Sequence, residues 1–285
     1  MENGENKVII FAIPLRAKAT TRDWASVSRR FNATIQSVFN QYDSDEYMCI
    51  VACNDIPKLE KSYDQRLEFI QLDLPIPNSW IEMARDKFWK LTEIAVRCRE
   101  ILEQQEQPEK GIYVMPLDAD DLVSNRIAKW CESHPNENGF VSKDGYVWEN
   151  HQKYMTVCPE MHTYCGSCNI IKMFRNDLPA ELPADRFFCH DRDTASVLNM
   201  RYPIRWDHNT VVQRYMELGR TFSVLPFRST IYVREDDENI SKLAAREKEK
   251  LSNKRFHPRA FLRSLNVFQY RLMTLKIINE FGIKV

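Results

Sequence analysis

Val8-Ile9-Ile10-Phe11-Ala12-Ile13 is an unbroken apolar run that stops at Pro14, the pattern of a strand buried on both faces. From Asp23 to Asn40 the period changes. Trp24, Val27, Phe31, Ile35 and Val38 recur at helical spacing with polar residues between them, which predicts an amphipathic helix. Tyr47 to Cys53 is again strand-like and gives way to turn chemistry at Asn54-Asp55-Ile56-Pro57, so the opening reads βαβ. A third short strand is expected at Glu68 to Leu72. Ala84, Phe88, Leu91, Ala95, Cys98 and Leu102 then mark a long amphipathic helix that ends before Pro108. Gly111 to Leu117 predicts one more strand. Strands alternating with helices imply an α/β fold with a mostly parallel central sheet flanked by helices.

Beyond this point the pattern is less regular. Gly139-Phe140-Val141-Ser142 and Gly145-Tyr146-Val147-Trp148 read as a hairpin around Lys143-Asp144, with aromatics that pack in the core or stack on a sugar. Lys242 to Arg259 is charge-rich, a solvated helix or a mobile lid. Phe261 to Phe281 places Leu265, Phe268, Leu272, Leu275 and Ile278 at helical intervals. A helical C-terminal extension is therefore expected, packed on the domain, on a second subunit as a homodimer contact, or on a membrane surface.

With 285 residues, 44% of them hydrophobic, the chain can bury one large core or two small ones. Forty basic residues balance forty acidic ones, so no overall field draws it to nucleic acid or anionic lipid, and a charged ligand must be recognised locally. The N-terminal sequence lacks the plan of a secretory signal, no apolar run approaches the roughly 20 residues of a membrane span, and the eight cysteines follow no short-framework spacing. A cytoplasmic, thiol-reduced protein is expected, with any membrane contact peripheral and on the inner face.

The stretch GIYVMPLDADD ends a strand in three acids, Asp118, Asp120 and Asp121. Neighbouring carboxylates repel one another, so a fold gathers them for a cation, for a helix start, or in open solvent. Asp121 can cap a helix running through Ile127, Trp130 and Cys131. Asp118 and Asp120 then remain, at the carboxyl end of a strand where mostly parallel sheets bind ligands. Cys158, His162, Cys165, Cys168, Cys189 and His190 raise a second chemistry, zinc. With only one CxxC, buried free thiols are the better expectation.

Four ordered segments make the sequence similar to the inverting nucleotide-sugar glycosyltransferases of family 2, which have the GT-A fold. They are IIFAIPLR, ATIQSVFNQYDSDEYMCIVACNDIP, RDKFWKLTEIA and YVMPLDADDLVS. The resemblance runs from about Val8 to Ser241 and is closest in its first half. It implies a nucleotide-sugar-binding half over residues 1–125, an acceptor-binding and catalytic half over 126–241 of the same GT-A-like domain, and the extension over 242–285. It further implies that Asp55 contacts the nucleotide base beside the backbone of Pro14, Leu15 and Arg16, although Asp55 also suits a plain Asx turn before Pro57. Lys87, with Arg85 as its neighbour, matches a basic position facing the nucleotide. Asp118, Ala119 and Asp120 match the Asp-x-Asp motif that holds Mn2+ or Mg2+ on the donor diphosphate.

Further along, the resemblance implies that Tyr164 to Ile171 lines the donor sugar and that Asp191 is the catalytic base, with Asp193 as the substitute candidate. His190 stands where the family has a glutamate. The segment from Ser229 to Ser241 matches a strand and loop that close over the donor, where Asp236, between Glu235 and Asp237, replaces a histidine as a further metal ligand. The implied activity is a metal-dependent transfer of a sugar from a nucleotide diphosphate, UDP being favoured, to a hydroxyl of a glycan or lipid-linked acceptor. Two other readings stay open: a sugar-nucleotide nucleotidyltransferase, whose glycine-rich loop is missing after the first strand, and a non-catalytic nucleotide- or carbohydrate-binding protein.

Overall fold

The computed structural model describes residues 7–149, 152–182, 202–205, 208, 210–234 and 270–284. Strand β1 (Ile9–Pro14), helix α1 (Trp24–Val38), β2 (Tyr47–Cys53), β3 (Leu67–Gln71), α2 (Trp80–Glu103) and β4 (Ile112–Pro116) follow one another as the periodicities require. The parallel register sets Ile9 against both Tyr47 and Tyr113, and Cys49 against Leu67. Alternate residues of a strand face opposite ways, and both ways are apolar here. Phe11, Ile13, Cys49 and Val51 pack with Phe31 and Ile35 of α1. Ile10, Ala12, Ile50 and Ala52 pack with Leu91, Ile94 and Ala95 of α2. The sheet is thus covered on both faces, which is why its strands read as continuous apolar runs.

Helix starts are set by side chains. Asp23 accepts the N–H of Ser26 (3.0 Å) at the head of α1, and Ser79 accepts that of Glu82 (3.2 Å) at the head of α2. The Glu82 carboxylate reaches back to the N–H of Asn78 at 2.7 Å, a variant of the capping box. Gly111 turns the chain into β4 with φ of +69°, where a Cβ would stand 2.7 Å from the Met173 carbonyl oxygen.

The remaining elements are β5 (Leu122–Val123), α3 (Ile127–Ser133), β6 (Gly139–Val141), β7 (Gly145–Glu149), β8 (Tyr154–Cys158), β9 (Asn169–Met173), α4 (Val211–Glu217), β10 (Ser223–Val224), β11 (Thr230–Arg234), β12 (Tyr270–Leu272) and α5 (Leu275–Phe281). They build two sheets. The main one has the order β10-β6-β9-β4-β1-β2-β3 and is parallel throughout except at β9, which runs antiparallel to both neighbours. The second has the order β12-β8-β7-β11-β5, around a smaller core of Leu122, Trp148, Met155, Ile231, Val233 and Phe281. The residues before and after Asn125 interleave, since β5 joins the second sheet while β6, β9 and β10 return to the first.

Two expectations from periodicity are corrected. Residues 139–148 do not form a hairpin: β6 pairs with β9 and β10, β7 with β8 and β11. The chain changes sheets at Ser142, whose N–H goes to the Cys168 carbonyl and whose hydroxyl goes to that of Asp144. The C-terminal stretch is not one helix, because Tyr270–Leu272 pair with Tyr154–Thr156 as an edge strand before α5 begins. Helix α5 packs on its own domain: Gln36 donates to the Gly282 carbonyl and Asn40 to that of Asn279, both at 2.8 Å. No helix among the described residues is long and apolar enough to cross a membrane.

Candidate functional site

The carboxyl ends of β1, β2, β3 and β4 share one edge of the main sheet. Pro14 closes β1 opposite Ala52. Leu15 sends its side chain into the core and its N–H to the Ala52 carbonyl, so only its backbone is offered at the edge. Arg16 folds its guanidinium onto the next turn, donating to the Thr20 carbonyl (2.6 Å) and hydroxyl (3.2 Å). Asp55, in the turn after β2, accepts the N–H of Lys18 at 2.8 Å. Its carboxylate therefore ties the β1 and β2 loops together rather than making only a local turn. Between these loops and the segment after β3 lies an open cleft of about 1180 Å³, lined by Lys18, Asn54, Asp55, Gln71, Asp73 and Leu74 among others. Asn54 donates to the Leu74 carbonyl (2.9 Å), which joins two of its walls.

Across the edge stands the loop after β4. Lys87, from the first half of α2, forms an ion pair with Asp118, each side chain about one third exposed at 33% and 32%. Burial pulls the Lys87 ammonium down, and the Asp118 charge and hydrogen bond more than offset this, leaving it above its ordinary value. Asp120 is half-buried. Burial first, and Asp118 second, push its carboxyl up to about 6, while the charges of Arg30 and Lys87 pull the other way. Ala119 packs at the rim of the core between them.

Asp121 differs from both. It is fully buried and caps no helix: α3 begins at Ile127 and is preceded by Arg126 at the cap position. The expected cap is corrected because the helix begins six residues further on and donors from distant segments meet the carboxylate instead. Ser167 reaches one oxygen at 2.6 Å, Cys165 reaches the same oxygen at 3.1 Å, and the Val233 N–H of β11 reaches the other at 3.3 Å. Burial, and then Cys165 and the neighbouring acids, hold its carboxyl well above the usual range. The Ser167 hydroxyl also accepts the N–H of Asp118 at 3.0 Å. The segment Tyr164 to Ile171 thus lies directly behind the acid loop.

Asp118 and Asp120 suit a hard divalent cation, since a carboxyl raised by burial and then by its Asp118 neighbour is relieved by positive charge beside it. Among the described residues no three ligating side chains form a metal-holding group, so donor oxygens from a ligand or water would complete a shell. The expected third ligand Asp236, and the base candidates Asp191 and Asp193, lie outside the described residues. So do Cys189 and His190. Cys165 and Cys168 are buried free thiols, and the neighbouring Cys168 thiol, followed by burial, holds the Cys165 thiol well above its ordinary value.

Three contributors were not named from the sequence. Ser167 sat unremarked in a small-residue segment. Arg30 lies on α1, and only the fold brings its charge toward Asp120. Lys90 is completely buried and paired with Asp86 at 2.7 Å. The acid-then-lysine spacing of four along one helix was its signal. No protein-family model matches the chain, and no characterised protein shows a significant match to it.

Proposed function

We propose that the chain is a metal-dependent inverting glycosyltransferase of the GT-A type, moving a sugar from a nucleotide diphosphate, UDP being favoured, to a hydroxyl of a glycan or lipid-linked acceptor. One observation carries the reading. Asp55, Lys87, Asp118 and Asp120, named from three separate segments, lie along the carboxyl edge of one mostly parallel sheet, with a cleft on one side and paired charges on the other.

In this reading the base and ribose occupy the cleft beside Asp55, whose fixed carboxylate accepts a ring N–H. Asp118 and Asp120 would hold Mn2+ or Mg2+, which neutralises charge growing on the leaving diphosphate. Lys87, paired with Asp118, would add its positive charge beside that diphosphate, and Arg30 would add positive field from α1. A carboxylate must take the acceptor proton on the face opposite the diphosphate, the role assigned to Asp191 with Asp193 as its alternative.

Thermal unfolding tests the reading. UDP with Mn2+ should raise the melting temperature by several degrees, because a ligand bound only by the folded state stabilises it, and a chelator should remove most of the shift. A UDP shift that survives chelation unchanged takes the metal out of the reaction. No shift with any nucleoside diphosphate defeats the donor assignment.

A further inference from the structure

Asp118, Asp120 and Asp121 occur within four positions, yet their surroundings divide them into two kinds. Asp118 and Asp120 are partly exposed at the sheet edge, whereas Asp121, Ser167 and Thr230 are all 0% exposed. The Asp121 N–H closes the turn on the Asp118 carbonyl at 3.1 Å, and its side chain reaches β11 of the second sheet. There both carboxylate oxygens are occupied, by Ser167 and Cys165 on one and Val233 on the other. No oxygen of Asp121 is left for a ligand.

The single hydroxyl proton of Ser167 is committed to Asp121, so its lone pair is turned toward the Asp118 N–H. The main chain of Ser167 is itself pinned by the Thr230 hydroxyl, which donates to its carbonyl at 2.6 Å. A chain of bonds therefore runs from β11 through Asp121 and Ser167 to the peptide that carries Asp118. The links among Val233, Asp121, Ser167 and Thr230 are fully buried, the setting in which hydrogen bonds position most firmly, and the last link, to the Asp118 N–H, is part-buried.

Resting on the proposed reading of this site, we infer that Asp121 and Ser167 are positioning residues: they hold the Asp118 peptide in place for a cation–diphosphate group without touching that group. Ser167→Ala removes both the donor to Asp121 and the acceptor for the Asp118 N–H. Asp121→Asn keeps the volume, but an amide that still accepts from Ser167 turns its own N–H donors against that of Val233. Groups that orient ligands from behind typically cost about tenfold to a hundredfold in metal affinity when removed.

The test measures the Mn2+ concentration giving half of the UDP-induced thermal shift, alongside the melting temperature without ligand. Ser167→Ala should raise that concentration at least about tenfold in protein that remains folded at the measuring temperature. Should this variant fail to fold, Asp121→Asn carries the same expectation. A merely structural role predicts a lower unliganded melting temperature with an unchanged half-saturating Mn2+ concentration, and that outcome overturns the inference while leaving the glycosyltransferase reading intact. Wild-type protein showing no Mn2+-dependent UDP shift defeats that reading, and the inference with it.

Discussion

The two flanks of the sheet edge are built by different means. The flank after β1, β2 and β3 is an open cleft whose walls are joined by main-chain groups and a few side chains, such as Asp55 to the Lys18 N–H and Asn54 to the Leu74 carbonyl. The flank after β4 is anchored from behind by fully buried side chains, Asp121, Ser167 and Thr230. A flat base tolerates a cleft that adjusts. Charge developing on a leaving group is best met by dipoles and ions already in place, since reorganising them during reaction costs rate. The difference teaches that anchoring by buried side chains is local here, confined to the flank where the proposed function places the change of charge.

Three substitutions press on this contrast. Asp120→Asn strikes only the anchored flank. Transfer should fall at least about a hundredfold, because metal stabilisation of a leaving group supplies several kcal/mol, while unliganded stability stays level or rises as a crowded carboxylate disappears. Normal turnover of a UDP-sugar with Mn2+ would show the acids to be structural.

Lys90→Met strikes a buried ion pair of α2 close to the end of β2, on the cleft side of the contrast. The Lys90 ammonium is completely buried, Asp86 is nearly so, and the second Asp86 oxygen has no partner. Removing the lysine alone strands a carboxylate, at a cost of about 3–5 kcal/mol in chemical denaturation. The double change Asp86→Leu with Lys90→Met should recover most of it, since buried pairs exchange for apolar ones at little loss. A single variant losing under about 1 kcal/mol would mean that water reaches the pair.

The smallest effect lies away from both flanks. Lys172 on β9 is 5% exposed, and burial lowers its ammonium from 10.5 to about 8. The unfolded chain keeps that proton up to the ordinary value, whereas the folded chain sheds it near 8. Between these values the unfolded state binds more protons, so stability gains a contribution as pH rises through the window. Lys172→Met should remove that rise, on the order of 2 kcal/mol, in melts taken from pH 8 to 10.5. An unchanged slope assigns the titration to another group.

The first half of the fold was legible because its signals are local. β1, β2, α1 and α2 follow from apolar runs and helical spacing, with ends displaced by a residue or a few. The second half failed where partners are distant. Nothing in residues 139–148 says that β6 and β7 enter different sheets, and nothing in Leu272 says that it pairs across to Tyr154. The site divides the same way. Asp55, Lys87, Asp118 and Asp120 stood out through residue type and order, while Asp121 was misread because a carboxylate before a helix is ordinarily a cap. Its true donors come from Ser167 and Val233, which only the meeting of two sheets supplies.

The clasp between α5 and the start of the domain sets a condition on synthesis. Glu280 accepts from the Ser124 hydroxyl (2.7 Å) and from Arg126, its carbonyl takes the Asn125 N–H, and Asn40 seals the same helix end. Ser124 directly follows the strand that leaves the acid loop. A growing chain has these groups in hand more than 150 residues before the ribosome delivers their partner. The core of α1, α2 and the parallel strands can condense early, as the leading part of a chain generally does. The end of β5 gains these bonds only once α5 has been made. The early scaffold therefore precedes the clasp that secures the strand leaving the acid loop, and the interval falls to whatever guards unfinished chains.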